Sequence, residues 1–386
     1  MKVCSLPDIE EEFEERFATP PLLVKGSGRI NIIGEHTDYN DGLVLPASID
    51  RHIYFALAEN GTTDCHFVAA NLDISYSFSL EELKKSEHQW ANYMIGILAQ
   101  LREREVPLEG INLVFGGNLP VGSGLSSSAA LECGFALGIC SLFNLQMSRQ
   151  KLAQLCQQSS NNFMGIPSGI MDQFASLLGQ AGQAIKLDCR DLTYEYIPLD
   201  TGPYTLVLIN STISHDHASS AYAERVEECN RGVALLQQQG YSIKSLREVP
   251  PQMLEKHRTE LGELIYKRCA YVVSENQRVE IACNLLKNGA IKKLGALLYK
   301  THEGLSKAYE VSCPEIDFLV DFAKRSKGVV GARLMGGGFG GCTLNLVHQN
   351  HKETFIRQIT QAYQEEWGID AEVYEVAIED GTNTIR

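Results

Sequence analysis

No Cys-x-x-Cys pair occurs among the eleven cysteines of this 386-residue chain, and their number is odd. They are scattered from Cys4 to Cys342, which argues against a disulfide framework or a zinc ribbon and reads as reduced, mostly buried thiols. His215 and His217 look zinc-like at first sight, yet a spacing of two with no matching pair elsewhere favours a structural or surface role. Long hydrophobic runs are missing too, since nothing approaches the ~18 uninterrupted apolar residues of a membrane span. The start, MKVCSLPDIEEEFEERF, is acidic where a signal peptide is basic and then apolar. Positive charge is scarce: 34 Lys and Arg stand against 48 Asp and Glu, a net charge of −14. Nucleic acids are bound through an excess of Lys and Arg, so a nucleic-acid partner is not expected. Any anionic ligand has to be held by local geometry. The expectation is a cytoplasmic protein with neither a membrane nor a nucleic acid as partner.

What is present is globular. With 44% hydrophobic and 21% charged residues, this length rules out a disordered or fibrous chain and allows two or three domains. From Leu22 to about Ala70 the pattern is strand-like, in LLVKG, GLVLPASI, HIYFALA and CHFVAA. Ser79-Leu80-Glu81-Glu82 has the form of a capping box and predicts a helix opening there. A second helix is expected from near Trp90 to Glu103, with Tyr93, Ile95, Leu98 and Leu101 on its inner face. Ile111 to Phe115 reads as a strand leading into GGNLPVGSGLSSSAALE and a helix of small residues, AALECGFALGICSLF. Another helix is expected from Ser148 to Asn162, then strands in QAIKLDC, YEYIPL and YTLVLIN. Ser219 to about Lys324 is helical in pattern, and LMGGGFGGCTLNLV marks a second tight turn feeding a strand. A domain boundary falls near residues 195–210, with the last strands free to return to the first domain.

Three segments carry chemistry. In Gly116 to Glu132, Gly122 and Gly124 let backbone N–H groups approach a phosphate, while Ser126, Ser127 and Ser128 offer hydroxyls where a helix should begin. The run lacks the Lys of a Walker-type loop. In Gly28 to Gly42, GRINIIGEHTDYNDG, one Arg, one Glu, one His and two Asp crowd near a strand end, which suits a small polyhydroxylated ligand. A solvated turn with an internal salt bridge is the plainer alternative. In GIPSGIMDQFASLLG, Asp172 sits among Ile170, Met171 and Phe174, as a helix cap or as a partly buried functional carboxylate.

Taken together, the motifs resemble a known family. GRINIIGEHTDYN is similar to the galactokinase signature, LPVGSGLSSSAALE to the phosphate loop of the GHMP kinase superfamily, and LMGGGFGGCTLNLV to its third, glycine-rich motif. They occur in the family's order. GIMDQFAS, HASSAYAERVEEC and HEGLSKAYEVSCPEIDFLV extend the likeness to bacterial galactokinases over nearly the whole chain. The resemblance implies an α+β, two-domain GHMP kinase fold with the active site in the interdomain cleft. Residues 1–200 would form the sugar- and ATP-phosphate-binding domain and 201–386 the C-terminal domain.

The implied activity is phosphorylation of the anomeric hydroxyl of galactose by ATP with Mg2+, by a monomer. On this resemblance Asp172 is the general base and Arg29 the cation beside it. Glu35, His36, Thr37 and Asp38 contact the sugar, as do Gly169 and Tyr222. Gly122, Ser123, Gly124, Leu125, Ser126, Ser127 and Ser128 form the ATP phosphate loop, and Ser128 is also a magnesium ligand. Trp90 resembles an aromatic residue bordering the adenine, although core packing suits it nearly as well. Phosphoryl transfer is mostly positioning and charge neutralisation, which fits an Arg facing a helix N-terminus.

The chain also departs from the family. Ser160 stands where relatives carry a Glu read as a second magnesium ligand, and Ser214, Asp216, His217 and Ala221 replace commoner residues ahead of Tyr222. Magnesium keeps several waters, so Ser128, nucleotide oxygens and water could suffice to hold it. The alternatives are a related sugar 1-kinase, or a catalytically weak regulator that binds sugar and ATP.

Overall fold

The computed structural model describes residues 2–214 and 218–385. His215, Asp216 and His217, singled out above, lie outside the described residues, as does the side chain of Ser214.

The chain opens with α1 (Leu6–Phe17), whose Ile9 and Phe13 are buried, then enters β1 (Leu22–Asn31). A loop leads through β2 (Leu43–Val44) to the long β3 (Pro46–Glu59), followed by β4 (Asp64–Ala69) and β5 (Ile74–Ser79). The expected capping-box helix is absent: residues 80 and 81 form a turn and 82–86 have no regular structure. Leu80 N–H donates to Thr63 O, which carries the β4–β5 pairing one step past Asp64 and Ser79 at the open end of the hairpin and keeps the backbone extended where a helix was expected to open. This stretch also lacks the apolar period that pays a helix for its nucleation. Next come α2 (Gln89–Arg102), β6 (Ile111–Gly117) and α3 (Ser127–Leu142). α4 (Arg149–Gln158) is capped by Ser148 and runs into a π-helical turn, Ser159–Met164, before α5 (Met171–Leu178).

The chain then forms β7 (Gln183–Asp188), β8 (Tyr194–Pro198) and β9 (Tyr204–Ser214). A helical stretch follows, with α6 (Ala218–Gln238), α7 (Pro251–Lys256), α8 (Arg258–Lys287), α9 (Ile291–Gly304) and α10 (Pro314–Arg325). It closes with β10 (Val329–Leu334), β11 (Gly340–His348), α11 (Lys352–Trp367), β12 (Glu372–Glu375) and β13 (Asn383–Thr384).

One sheet has the order β13-β1-β3-β6-β4-β5, a second β10-β11-β9-β12, and a third β2-β7-β8. The last strand therefore pairs with the first, Val24 facing Thr384. β1 and β3 are antiparallel, and their register slips between Ser27 and Arg29. Such a bulge re-aims the side chain beside it, and here that side chain is Arg29. α3 lies on β1 and β3 through small residues, since a Cβ on Gly134 would come 2.2 Å from the Phe55 ring. Phe55, Leu57, Phe67, Phe174 and Phe135 of α3 itself are fully buried in the core at this contact. Each contributes roughly 1.5–3 kcal/mol by leaving water. Ten of the eleven cysteines are buried and all are free; Cys189 is half-buried. Among the described residues no helix is long and apolar enough to cross a membrane.

Candidate active site

Three backbone features meet at one point. The bulge in β1 delivers Arg29, the loop after β6 delivers Ser126, and the first turn of α5 delivers Asp172. Arg29 grips Asp172 with a two-pronged fork, Nε to Oδ1 at 2.8 Å and Nη2 to Oδ2 at 3.0 Å. Its Nη1 donates to Gly124 O at 2.5 Å. Bidentate pairing fixes a carboxylate in both position and orientation. Ser126 Oγ also donates to Asp172 Oδ2. Arg29 is 4% exposed while Asp172 keeps 32%, so the carboxylate is held yet open to a ligand.

Ser126 is the N-cap of α3 in position but not in bonding. It has left-handed backbone dihedrals, φ 60° and ψ 49°, and makes no side-chain cap. Its hydroxyl is spent on Asp172, which leaves the first N–H groups of α3 to an outside acceptor. Gly122 and Gly124, with φ of 75° and 77°, shape the preceding turn.

Two cavities share Arg29, Tyr93, Ser128, Asp172, Gly336 and Gly337 as a common wall. The larger, about 620 Å³, is lined by Gly122, Gly124, Ser126, Ser127 and the loop after β10. Its far end is aromatic and apolar, with Trp90 and Phe115 rings 5.3 Å apart. The smaller, about 120 Å³, is lined by Glu35, His36, Asp38, Gly169 and Tyr222. A Cβ on Gly169 would fall 1.9 Å from Asp38 Oδ2, so the absence of a side chain there lets Asp38 sit in the wall. The His36 ring lies 5.5 Å from that of Tyr222, and its Nδ1 is 2.8 Å from the Tyr39 hydroxyl.

Burial sets the charge states. It pushes His36 down to about 4, against the pull of Glu35, so the imidazole is neutral at pH 7. Burial and the neighbouring Asp172 carboxylate raise Asp38 to about 7. Burial alone would raise Glu35 as well, but Arg333 and Arg29 outweigh it and hold that carboxyl below its ordinary range. Glu35 Oε1 accepts from Arg333 Nη2 at 2.9 Å and from Gly336 N–H at 2.8 Å.

Not every residue singled out from the sequence lines a cavity. Thr37 is fully buried, its hydroxyl donating to Gly34 O and Leu43 O within its own loop. Ser123 donates to Pro120 O, and Leu125 belongs to the core. Neither faces either cavity. Ser160 does line the smaller one, but its hydroxyl is turned to Glu132 Oε1 at 2.5 Å.

Glu132, Arg333 and the pair Glu275–Asn276 were not anticipated. Glu132 carried a visible signal, as an acid one helical turn after Ser128 in a helix of small apolar residues. Arg333 carried a similar one, as a lone charge in the apolar run before the glycine cluster. Among the described residues no three His, Cys, Asp or Glu side chains cluster as a metal site. The donor at hand, Ser128, suits a hard cation that arrives on phosphate oxygens and keeps its waters.

Known proteins share this architecture. Residues 92–180 match the GHMP kinases N terminal domain, 282–365 the GHMP kinases C terminal domain, and 11–59 the galactokinase galactose-binding signature. Together they define a small-molecule kinase class with mixed helix and strand content. A galactokinase of Roseiflexus sp. is 38% identical over 98% of this chain and 97% of its own. One from Lactobacillus helveticus is 40% identical over 93% and 94%. The crystal structure of Lactococcus lactis galactokinase complexed with galactose superposes with a TM-score of 0.95 at 34% identity, covering 98% of this chain and all of that one. The chain belongs to the galactokinase family.

Proposed function

We propose that the chain is a working galactokinase, transferring the γ-phosphoryl group of ATP to the anomeric hydroxyl of galactose to give galactose 1-phosphate. The observation that carries this reading is the Arg29–Asp172 fork in the wall between the two cavities. The nucleotide occupies the larger cavity, with phosphates at Gly122, Gly124 and Ser126–Ser128 and the base beside Trp90. The sugar occupies the smaller, against Glu35, His36, Asp38, Gly169 and Tyr222. Thr37, Ser123 and Leu125 support these loops from within.

Asp172 accepts a hydrogen bond from the anomeric hydroxyl and orients its oxygen toward the γ-phosphorus. As the new O–P bond forms, the bond to the bridging oxygen breaks and ADP leaves. The hydroxyl proton passes to Asp172. Arg29 has N–H groups left beyond those spent on Asp172 and Gly124 O, and with the N-terminal amides of α3 it stabilises the charge on the transferring group. Magnesium would be held by Ser128 together with nucleotide oxygens and water, and when bound it supplies neutralisation of the phosphate charge. The free, largely buried thiols suit a reducing, cytoplasmic compartment, and on this reading the enzyme acts as a monomer with sugar and ATP as its partners. Residues 1–200 and 201–386 are the two domains on this reading, with β13 returning to the first.

ADP release over a panel of sugars tests the activity. Asp172→Asn should lower kcat by at least ~10²-fold, as for other positioned acid–base groups, with ATP affinity close to wild type. Retention of half the activity would remove Asp172 from this role.

A further inference from the structure

The loop between β1 and β2 carries His36 and Asp38; backbone bonds of Ile32 and Ile33 with Leu45 close its base and Leu43 pairs with Asp188, but residues 34–42 between them take part in no strand pairing. Inside the loop, Thr37 is the knot: its hydroxyl donates to Gly34 O and Leu43 O, and its carbonyl accepts from the N–H groups of Asn40 and Gly42. The loop's outer N–H groups turn to α8, a helix of the C-terminal half. Gly34 N–H donates to Glu275 Oε1 at 2.9 Å, and Leu43 N–H donates to Asn276 Oδ1 at 2.7 Å. Two consecutive residues of one helix therefore hold the two ends of the loop. Both are buried, Glu275 at 0% and Asn276 at 6% exposure.

Each partner is itself fixed. Asn276 Nδ2 donates to Val272 O, which sets the amide so that its oxygen faces Leu43. Glu275 receives Thr301 Oγ1 and the Arg278 Nε, 2.5 Å from Oε2. One turn earlier, the Tyr271 hydroxyl donates to Glu35 O at 3.1 Å.

We propose that Asn276 and Glu275, seconded by Tyr271, are positioning residues that set galactose affinity from α8 by holding the loop of His36 and Asp38 in its binding shape. The proposal rests on the reading of that loop as the sugar site. A buried acceptor removed from beneath a loop N–H leaves that group unpaired, and the loop relaxes to find another partner. Misplacement of a binding group by about 1 Å can cost as much as 10²-fold. The nucleotide loop after β6 receives none of these bonds, so its affinity should not follow.

Asn276→Leu removes the acceptor at similar volume, and Asn276→Asp keeps an oxygen there. In calorimetry and steady-state kinetics, Asn276→Leu should weaken galactose binding and raise its KM by about tenfold. Its ADP affinity and its kcat at saturating galactose should stay within about twofold of wild type, and Asn276→Asp should recover most of the loss. Equal losses for sugar and nucleotide, or an unchanged galactose affinity in folded Asn276→Leu, would overturn the proposal. Tyr271→Phe removes one hydroxyl and carries the same sugar-selective expectation at a smaller size. If Asn276→Leu does not fold, unchanged galactose affinity in Tyr271→Phe overturns it. Asp38→Ala separates the two readings. Galactose affinity retained there would refute the sugar site itself, whereas affinity lost there but kept in Asn276→Leu refutes the positioning role alone.

Discussion

Glu132 is buried against two neutral donors, Ser160 Oγ and Gln173 Nε2, rather than against a cation. Burial raises its carboxyl to about 8, and the charge of Asp172 adds to the rise while the two hydrogen bonds oppose it. At pH 7 the group is largely protonated. The unfolded chain releases this proton near 4.5 and the folded chain holds it to about 8, so between those values the native state binds more protons and loses stability as pH rises. Glu132→Gln removes that slope. Its urea midpoint should match wild type near pH 5 and exceed it at pH 8. A variant that falls below wild type at pH 8 would mean that Glu132 is ionised and paired in the folded protein. Ser160 completes this neutral cluster, and a carboxylate in its place would face Glu132 at close range.

At the scale of elements, α3 joins both cavities to the core, and its closeness to β3 depends on a missing side chain. Gly134→Ala would bring a Cβ within 2.2 Å of the Phe55 ring, so the helix must lift or the ring must leave its rotamer. Overpacking of this kind costs about 1–3 kcal/mol, readable as a lower urea midpoint with an unchanged slope. An unaltered midpoint would show that the α3–β3 contact is softer than its geometry implies.

The sequence announced α3 because small residues followed a serine run, and α2 because Ile95, Leu98 and Leu101 share one face. It misled at Ser79, where local capping chemistry pointed to a helix while pairing of Asp64 with Ser79 had already committed the backbone to a hairpin. Of the residues lining the two cavities, those singled out from a single chemistry-rich segment, such as Arg29, Asp38 and Asp172, were the legible ones. It was not legible in the supports. Glu275 and Asn276 lie 241 and 233 positions along the chain from the groups they accept from, and no local pattern records so distant a bond.

Across the whole molecule, the first and second sheets are tied together beneath the site by a buried ion pair. Arg333, at 0% exposure on β10, donates to Ile32 O, Asn31 O and Leu334 O as well as to Glu35 Oε1. It thus satisfies the end of β1 from the other sheet, and Glu35 passes the connection on to Gly336 N–H in the loop that lines both cavities. Burial penalises the Glu35 charge, yet Arg333 and Arg29 keep its carboxyl below the ordinary value of 4.5. The pair therefore adds stability above pH 4.5, and that stability is lost as pH falls through the lowered folded value.

Arg333→Met keeps the bulk but takes the paired cation from the buried Glu35 carboxylate, which retains the Gly336 N–H, and the donor from the Asn31 and Ile32 carbonyls at the end of β1. The expected loss is about 3–5 kcal/mol at pH 7, the range for breaking one side of a buried pair. Because Glu35 would then be protonated more readily, the deficit should shrink as pH approaches 4. A double variant, Arg333→Met with Glu35→Gln, should recover part of the loss at pH 7 by removing the stranded charge. Equal stability of the single and double variants would locate the cost in the Asn31 and Ile32 carbonyls instead, and the two sheets would then be joined by backbone acceptors rather than by the ion pair.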